Sequence, residues 1–293
     1  MCWRSPVRGN TIELLKPGIA FSVVITVIPG LLSAGKIPSL ALVAATLVGT
    51  LLVAMSSFAY NQIIETRTDS MMDRTRNRPL VTGKLPLWQA HALAFVLLVF
   101  GTYLLWVQST PLAAGIALFS FVYYLLIYTL WLKPTTVQST VLGGVCGAIG
   151  PMIGEAAIAN RVGMPGIMLF LLLFLWQPPH FWALAIARRE DYRKANFPLL
   201  PVLKGIPETL RSMIFYQWLL VVATIAVPLL GLAGWIFTVP SLFSSLVTLL
   251  LIYRMRKDAS ASSAMKVFFA SIAHNLVWHA AFSVDAAVGI LRD

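Results

Sequence analysis

The sequence predicts an all-α fold, a polytopic membrane helical bundle of about nine transmembrane helices, and three observations carry that prediction. The chain is 58% hydrophobic over its 293 residues, with a mean hydropathy of +0.81. Only 11% of residues are charged, against about 25% in an ordinary soluble domain. The apolar runs are long enough to cross a hydrocarbon layer of roughly 30 Å. They fall at residues 17–35, 39–60, 88–108, 111–131, 138–159, 165–187, 213–233, 235–253 and 266–290. The chain reads as a single transmembrane domain over 1–293, with no long linker, low-complexity tract or soluble appendage.

The first span follows a short segment carrying Arg4, Arg8 and Lys16, too brief and irregular for a transit peptide. It is itself long enough to span, so no cleavable signal is expected. The second span runs into a polar stretch considered below. The third and fourth are separated only by residues 109–110, and the seventh and eighth only by 234, which predicts tight hairpins. The fifth carries Gly143, Gly144, Gly147, Gly150 and Gly154, small residues that let helices approach closely. It also holds Glu155, toward the far side, and Cys146, which has no case for a disulfide with the distant Cys2. The sixth contains Pro178-Pro179, a pair that frees backbone carbonyls and is tolerated mainly beside a cavity. In the ninth, His274 and His279 lie five apart, about 140° around a helix, and read as satisfied core or interfacial histidines rather than a metal pair.

Charge sets the orientation. With nine spans, one face holds the N-terminus and the 2–3, 4–5, 6–7 and 8–9 loops, with 19 of the 22 Lys and Arg residues; Lys36, Arg161 and Arg292 lie opposite. The positive-inside rule puts the basic face, including the large loops 61–87 and 188–212, in the cytoplasm. A bacterial inner membrane is the plainest location. Much of the net charge of +11 is thus topogenic, and no nucleic-acid partner is implied.

Topogenic charge does not account for the acids among it. Asn61, Glu65, Asp69 and Asp73 are spaced by four, which on a helix gives one face of oxygen ligands. Mg²⁺ prefers such ligands and commonly binds together with a phosphate. Arg74 and Arg78 just beyond are placed to grip that anion. A second constellation follows the proline pair. If the helix restarts after Pro179, His180, Asp191 and Lys194 fall within about 60° of one another. Asp191 is then a further metal ligand and Arg193 and Lys194 are diphosphate partners. Lys133, with Thr135, Thr136 and Gln138, forms a smaller polar patch on the same side. Trp176, Phe181 and Trp182 read as interfacial anchors before they read as substrate contacts.

These stretches resemble a family. Asn61, Glu65, Asp69, Met72, Arg74-Thr75 and Arg78-Pro79-Leu80 resemble the first aspartate-rich motif of the UbiA-type intramembrane prenyltransferases. Pro178-Pro179-His180-Phe181-Trp182-Ala183-Leu184-Ala185, with Asp191-Tyr192 and Pro198-Leu199-Leu200-Pro201, is more specific and resembles the protohaem IX farnesyltransferase (haem O synthase) family. Lys16-Pro17, Leu132-Lys133 and Gly143-Gly144 fit the same pattern, so the resemblance covers roughly residues 12–290. The chain departs from it at Gly18, where an arginine is usual, and at Pro134, Thr135, Val137, Ser139 and Gly150. Those changes bear on how porphyrin propionates are held and leave the diphosphate motif intact.

The resemblance implies a UbiA-type fold and Mg²⁺-dependent transfer of farnesyl from farnesyl diphosphate to a vinyl group of haem B, giving haem O for terminal oxidases. It implies Asn61, Glu65, Asp69 and Asp191 as metal ligands, to which the four-residue spacing adds Asp73, an acid where the family varies; Arg74, Arg78, Lys133, Arg193 and Lys194 are the diphosphate partners. Asn61, Asp69, Asp191 and His180 are then the catalytic set, with His180 orienting water or touching haem. Membrane lipid, and haem A synthase or terminal-oxidase assembly, are the implied surroundings. Three other readings compete: a UbiA-type enzyme with a quinone-precursor or chlorin acceptor, a haem-binding assembly protein, and a transporter. Acids and arginines confined to one membrane face argue against the transporter.

Overall fold

The structure, a computed structural model, describes residues 6–292, with side chains from residue 11 onward; Cys2 and Arg4 lie outside the described residues. Among the described residues nine helical segments are long and apolar enough to cross a membrane: Thr11–Ser33, Leu40–Ile64, Leu87–Gln108, Pro111–Thr135, Ser139–Ala159, Met164–Ala187, Gly205–Leu229, Trp235–Arg254 and Ala261–Arg292. Consecutive spans pack on one another, the ninth returns to the first, and the sixth touches the fifth, seventh and ninth.

Several spans are broken where backbone chemistry requires it. Pro17 disfavours the right-handed helical conformation at the preceding residue, and Lys16 sits in the left-handed region at φ 46° and ψ 56°. The first span therefore kinks between Pro6–Leu15 and Pro17–Ile25. The fourth changes from α-helix at Pro111–Val122 to π-helix at Tyr123–Leu132. The fifth divides into Ser139–Ala148 and Gly150–Ala159, with Pro151 in the first turn of the second piece.

Glycines bring the first and fifth spans into backbone contact. A Cβ on Gly154 would lie 2.2 Å from the Val27 carbonyl oxygen, and one on Gly30 only 2.0 Å from that of Pro151. The glycine spacing in the fifth span is thus close packing, as the sequence predicts. Glu155 is buried, and its Oε2 accepts the backbone N–H groups of Gly163 and Gly166, each at 3.0 Å. The carboxylate caps the start of the sixth span, where a helix dipole favours negative charge.

Two expectations are corrected. The sixth span does not restart after the proline pair: it is one helix, Met164–Ala187, with both prolines inside it. The 188–212 loop is also smaller than expected, because the seventh span begins at Gly205 and short helices occupy Arg189–Lys194 and Leu200–Leu203. Glu208 and Arg211, paired at 3.1 Å, make the first turns of the seventh span too polar to read as membrane helix from hydropathy. The two large loops dock together on the end of the sixth span through buried Met72, Ala185, Tyr192, Ala195, Phe197 and Leu199.

Candidate active site

The second span ends at Ile64, but its hydrogen-bond register survives a little further. Glu65 N–H donates to Asn61 O at 2.9 Å and Asp69 N–H to Glu65 O at 2.8 Å. Asn61, Glu65 and Asp69 accordingly stay one turn apart and are all buried. Beyond Asp69 the chain reverses, held by the Thr75 hydroxyl donating to Asp69 O at 2.8 Å.

The buried acids meet cations from other elements. Lys133, at the end of the fourth span, pairs with Glu65, and Arg78 pairs with Asp69. Lys133 also lies over the Phe197 ring, 4.7 Å from its centroid, so the second loop covers the pair. Asn61 donates from Nδ2 to Thr129 Oγ1 at 3.2 Å, and Thr129 in turn donates to Tyr124 O at 2.8 Å. Both residues lie in the π-helix Tyr123–Leu132, a distortion frequent at functional sites. It sets Tyr124 and Tyr128 in a stack at 5.5 Å beside the carboxylates.

Two oxygens remain for a ligand. Asp69 Oδ1 is buried without a partner. Asn61, having spent its amide N–H on Thr129, keeps an Oδ1 that makes no hydrogen bond. A carboxylate oxygen and an amide oxygen, two turns apart on one face with Glu65 between them, are donors of the kind a hard divalent cation takes. An orphaned carboxylate oxygen in a closed site is costly until something satisfies it.

Deeper in the bundle, Lys16, Tyr124, Tyr128, Cys146 and His180 are enclosed by protein yet keep accessible surface. Of these, Tyr124 and Tyr128 lie within electrostatic range of both Glu65 and Cys146. Lys16 lies within electrostatic range of Glu65, Asp69, Arg78 and Lys133, and sits 5.8 Å from the Phe58 ring centroid. At the loop side, burial pushes the Tyr192 hydroxyl above its usual pKa; Arg74 opposes that shift, and Glu65 and Asp191 reinforce it. Tyr192 is therefore a neutral hydrogen-bond donor at neutral pH.

Other candidates are not brought together. Asp73 is half exposed and turns away to Lys194, bonded at 2.5 Å, with Arg76 at 3.5 Å. Arg193 is held by Glu190 at 2.8 Å on the surface. Asp191 is half-buried, and its carboxylate makes no hydrogen bond or ion pair among the described residues. Arg74 is exposed beside Tyr192. Among the described residues no three His, Cys, Asp or Glu side chains converge as a metal group. The five-residue ligand set expected from sequence is thus divided, with Asn61, Glu65 and Asp69 on one side and Asp73 and Asp191 apart from them.

His180 does not share a face with Asp191 and Lys194, because the continuous helix turns it toward the ninth span. There it stacks between Trp176 and Phe268, at 4.3 and 4.6 Å, and its Nδ1 meets Ser271 Oγ at 2.8 Å. Trp176 and Trp182 are not interfacial anchors: Trp176 donates to Ser271 O at 2.7 Å, and Trp182 is buried in the core. Lys16, Thr129, Tyr124, Tyr128 and Tyr192 join the site without having been singled out for it. Only the Lys16-Pro17 pair carried a signal, since a residue before proline is pushed out of the helix.

Comparison with known proteins gives the family and the fold. Residues 23–273 match the UbiA prenyltransferase family. The protoheme IX farnesyltransferase of Leptospira interrogans is 39% identical over 275 residues, covering 93% of this chain and 95% of the relative. That of Alcanivorax borkumensis is 39% identical over 278 residues, covering 94% and 91%. Among solved structures, a digeranylgeranylglyceryl phosphate synthase superposes with a TM-score of 0.78 at 19% identity, over 95% of this chain and 98% of its own. A UbiA homologue from Archaeoglobus fulgidus bound to GPP and Mg²⁺ superposes with a TM-score of 0.67 at 16% identity, over 94% and 99%.

Proposed function

The chain belongs to the UbiA prenyltransferase family, and from that premise we propose how its residues divide the work of farnesyl transfer. The reaction is Mg²⁺-dependent transfer of farnesyl from farnesyl diphosphate to a vinyl group of haem B, giving haem O. The observation that carries the site assignment is the partnerless Asp69 Oδ1, two turns along one face from Asn61 with Glu65 between them, and flanked by Lys133, Arg78 and Lys16.

Asn61, Glu65 and Asp69 would hold the metal. When bound, Mg²⁺ neutralises the diphosphate and makes it a competent leaving group. Lys133 and Arg78, already beside the carboxylates, are placed to take diphosphate oxygens, and Lys16 adds a third cation. Fixed cations aimed at developing negative charge lower the barrier without reorganising during the reaction. Arg74, Arg193, Lys194, Asp73 and Asp191 form an outer set on the docked loops, able to reach the anion as the loops close. Tyr124 and Tyr128 wall the space where the allylic carbon sits. Apolar and aromatic walls keep water from the cation until the haem vinyl attacks. The motif loops face the cytoplasm of a bacterial inner membrane, and haem A synthase or a terminal oxidase under assembly receives the product.

The purified protein in detergent, given haem B, farnesyl diphosphate and Mg²⁺, is expected to form a haem heavier by one farnesyl plus one water. Diphosphate release with no new haem species would keep the prenyl site and assign a different acceptor.

A further inference from the structure

The inward face of the ninth span is unusual for a membrane helix. Ser271, His274, Asn275, Trp278 and His279 recur at i, i+3, i+4, i+7 and i+8, one helical stripe. Four of the five are at most 2% exposed, and Asn275 is half-buried. The eighth span, which packs on the ninth, meets the stripe where Ser244 bonds to His274, and it carries buried Ser241 one turn away. Five polar atoms in this seam have no partner: His274 Nε2, His279 Nε2, Asn275 Oδ1, Trp278 Nε1 and Ser241 Oγ.

The hydrogen bonds that do exist fix what these atoms need. Ser271 Oγ donates to Phe268 O at 2.6 Å, so toward His180 it can only accept, and His180 Nδ1 carries the proton. Ser244 Oγ likewise donates to Pro240 O at 2.8 Å, so His274 Nδ1 is the donor in their 2.8 Å contact. His279 Nδ1 donates to Asn275 O at 2.6 Å. All three imidazoles, taken as neutral, therefore present an unshared Nε2 lone pair. His180 is only part-buried, and its Nε2 is not among the sealed, partnerless atoms. Three histidine acceptors and an amide oxygen stand beside an indole donor and a hydroxyl. Water, both donor and acceptor, completes such a set. A polar buried site of this kind ordinarily holds it.

We propose that the polar face of the ninth span carries ordered water to His180, and that this water ends the reaction. The proposal rests on the farnesyl-transfer reading. As the bond from farnesyl C1 to diphosphate oxygen breaks, the terminal vinyl carbon forms the new C–C bond. Positive charge then lies on the vinyl carbon attached to the porphyrin. A water oxygen bonds there, and its proton passes to His180 Nε2. Water arriving from the ninth span, rather than through the carboxylate mouth, leaves the allylic cation dry in the preceding step. His180 is the group that touches the reacting water, and His274, Trp278 and Ser241 are positioning residues.

The test is product identity in the detergent assay with oxygen-18-labelled water. In His274→Leu and in the milder Ser241→Ala, the cation loses a proton instead of gaining water. Farnesylated haem lighter by one water should rise relative to the hydrated product by roughly tenfold in His274→Leu, while diphosphate release persists. Both variants giving the hydrated product in the unmodified ratio would overturn the proposal. Hydroxyl-radical labelling of the unmodified protein bypasses any folding defect: Trp278 and His279 should be oxidised and buried Phe237 spared. Protection of all three would equally overturn it. If the unmodified protein makes no farnesylated haem of either mass, the farnesyl-transfer reading fails and the delivery role with it, whereas labelling still reports whether the seam holds water.

Discussion

The cytoplasmic mouth and the ninth-span seam are both polar regions inside an apolar bundle, built on opposite principles. At the mouth the buried acids are ionic and paired, Glu65 with Lys133 and Asp69 with Arg78, and one carboxylate oxygen is left over. In the seam the side chains are neutral and much of their hydrogen-bonding capacity is unmet. Burying an unpaired charge costs several kcal/mol, whereas a neutral polar group can be completed by water. The mouth is thus suited to exchanging one set of ions for another, and the seam to handling water. Catalytic rate should depend on the first region and product identity on the second.

The sharpest break in that division would come from Asp69. Asp69→Asn keeps the shape and removes the charge, and should lower farnesyl transfer by about 10²–10³-fold, the loss typical of a main electrostatic group. The product that still forms should remain fully hydrated. Asp69→Ala should in addition lower the melting temperature in detergent, because Arg78 is left as an uncompensated buried cation. If Asp69→Asn changed the ratio of hydrated to dehydrated haem, the two regions would not be separable.

Lys16 gives the next largest effect. It lies in the first span and makes no ion pair among the described residues, yet it feels all four charges of the mouth. A charged hydrogen bond to substrate is worth about 1.5–3 kcal/mol, so Lys16→Met should cost roughly ten- to hundredfold in kcat/KM for farnesyl diphosphate. Unchanged kinetics would confine the anion to Lys133 and Arg78.

What could be read from the sequence follows from where local rules hold. The nine spans are legible because burial in lipid imposes composition residue by residue. Asn61, Glu65 and Asp69 are legible because the i+4 spacing outlasts the helix by one turn. Asp73 fits the same spacing, but the Thr75 hydroxyl caps Asp69 O and the chain turns away. Tyr124 and Tyr128 were hidden by the π-helix, whose register no α-helical projection reproduces. His180 was misplaced because the proline pair, which usually breaks a helix, lies inside one here. The seam was passed over because its histidines look satisfied when counted singly, and only their shared stripe shows that they are not.

A packing variant tests whether the two regions rely on one frame. Gly154→Ala puts a methyl 2.2 Å from the Val27 carbonyl oxygen and 2.6 Å from Leu31 N, both backbone atoms that cannot swing aside. The first and fifth spans must separate, at a cost of about 1–3 kcal/mol. Thermal melting in detergent should fall, and Lys16 should shift with the first span, so KM for farnesyl diphosphate should rise. A change in product hydration as well would mean that both regions rely on this frame, since the first span also packs on the ninth.

The smallest effect belongs to Asp73, and it discriminates the most. Its carboxyl is held below the usual range by a hydrogen bond from Lys194, whose own pKa is raised by the same contact. A depressed carboxyl contributes stability above its unfolded value of 3.8, lost as pH falls through the lower folded value. A raised amine contributes below 10.5, and the contribution is lost as pH rises through the higher folded value. The contact between the two loops should therefore be insensitive to pH between these limits. Because both side chains are half exposed, the pair is screened by solvent, and Asp73→Ala should change farnesyl transfer by no more than about twofold. A loss matching that of Asp69→Asn would instead mean that Asp73 leaves Lys194 and swings inward to hold metal. The mouth would then be a site that assembles on substrate binding rather than one formed by its buried ion pairs.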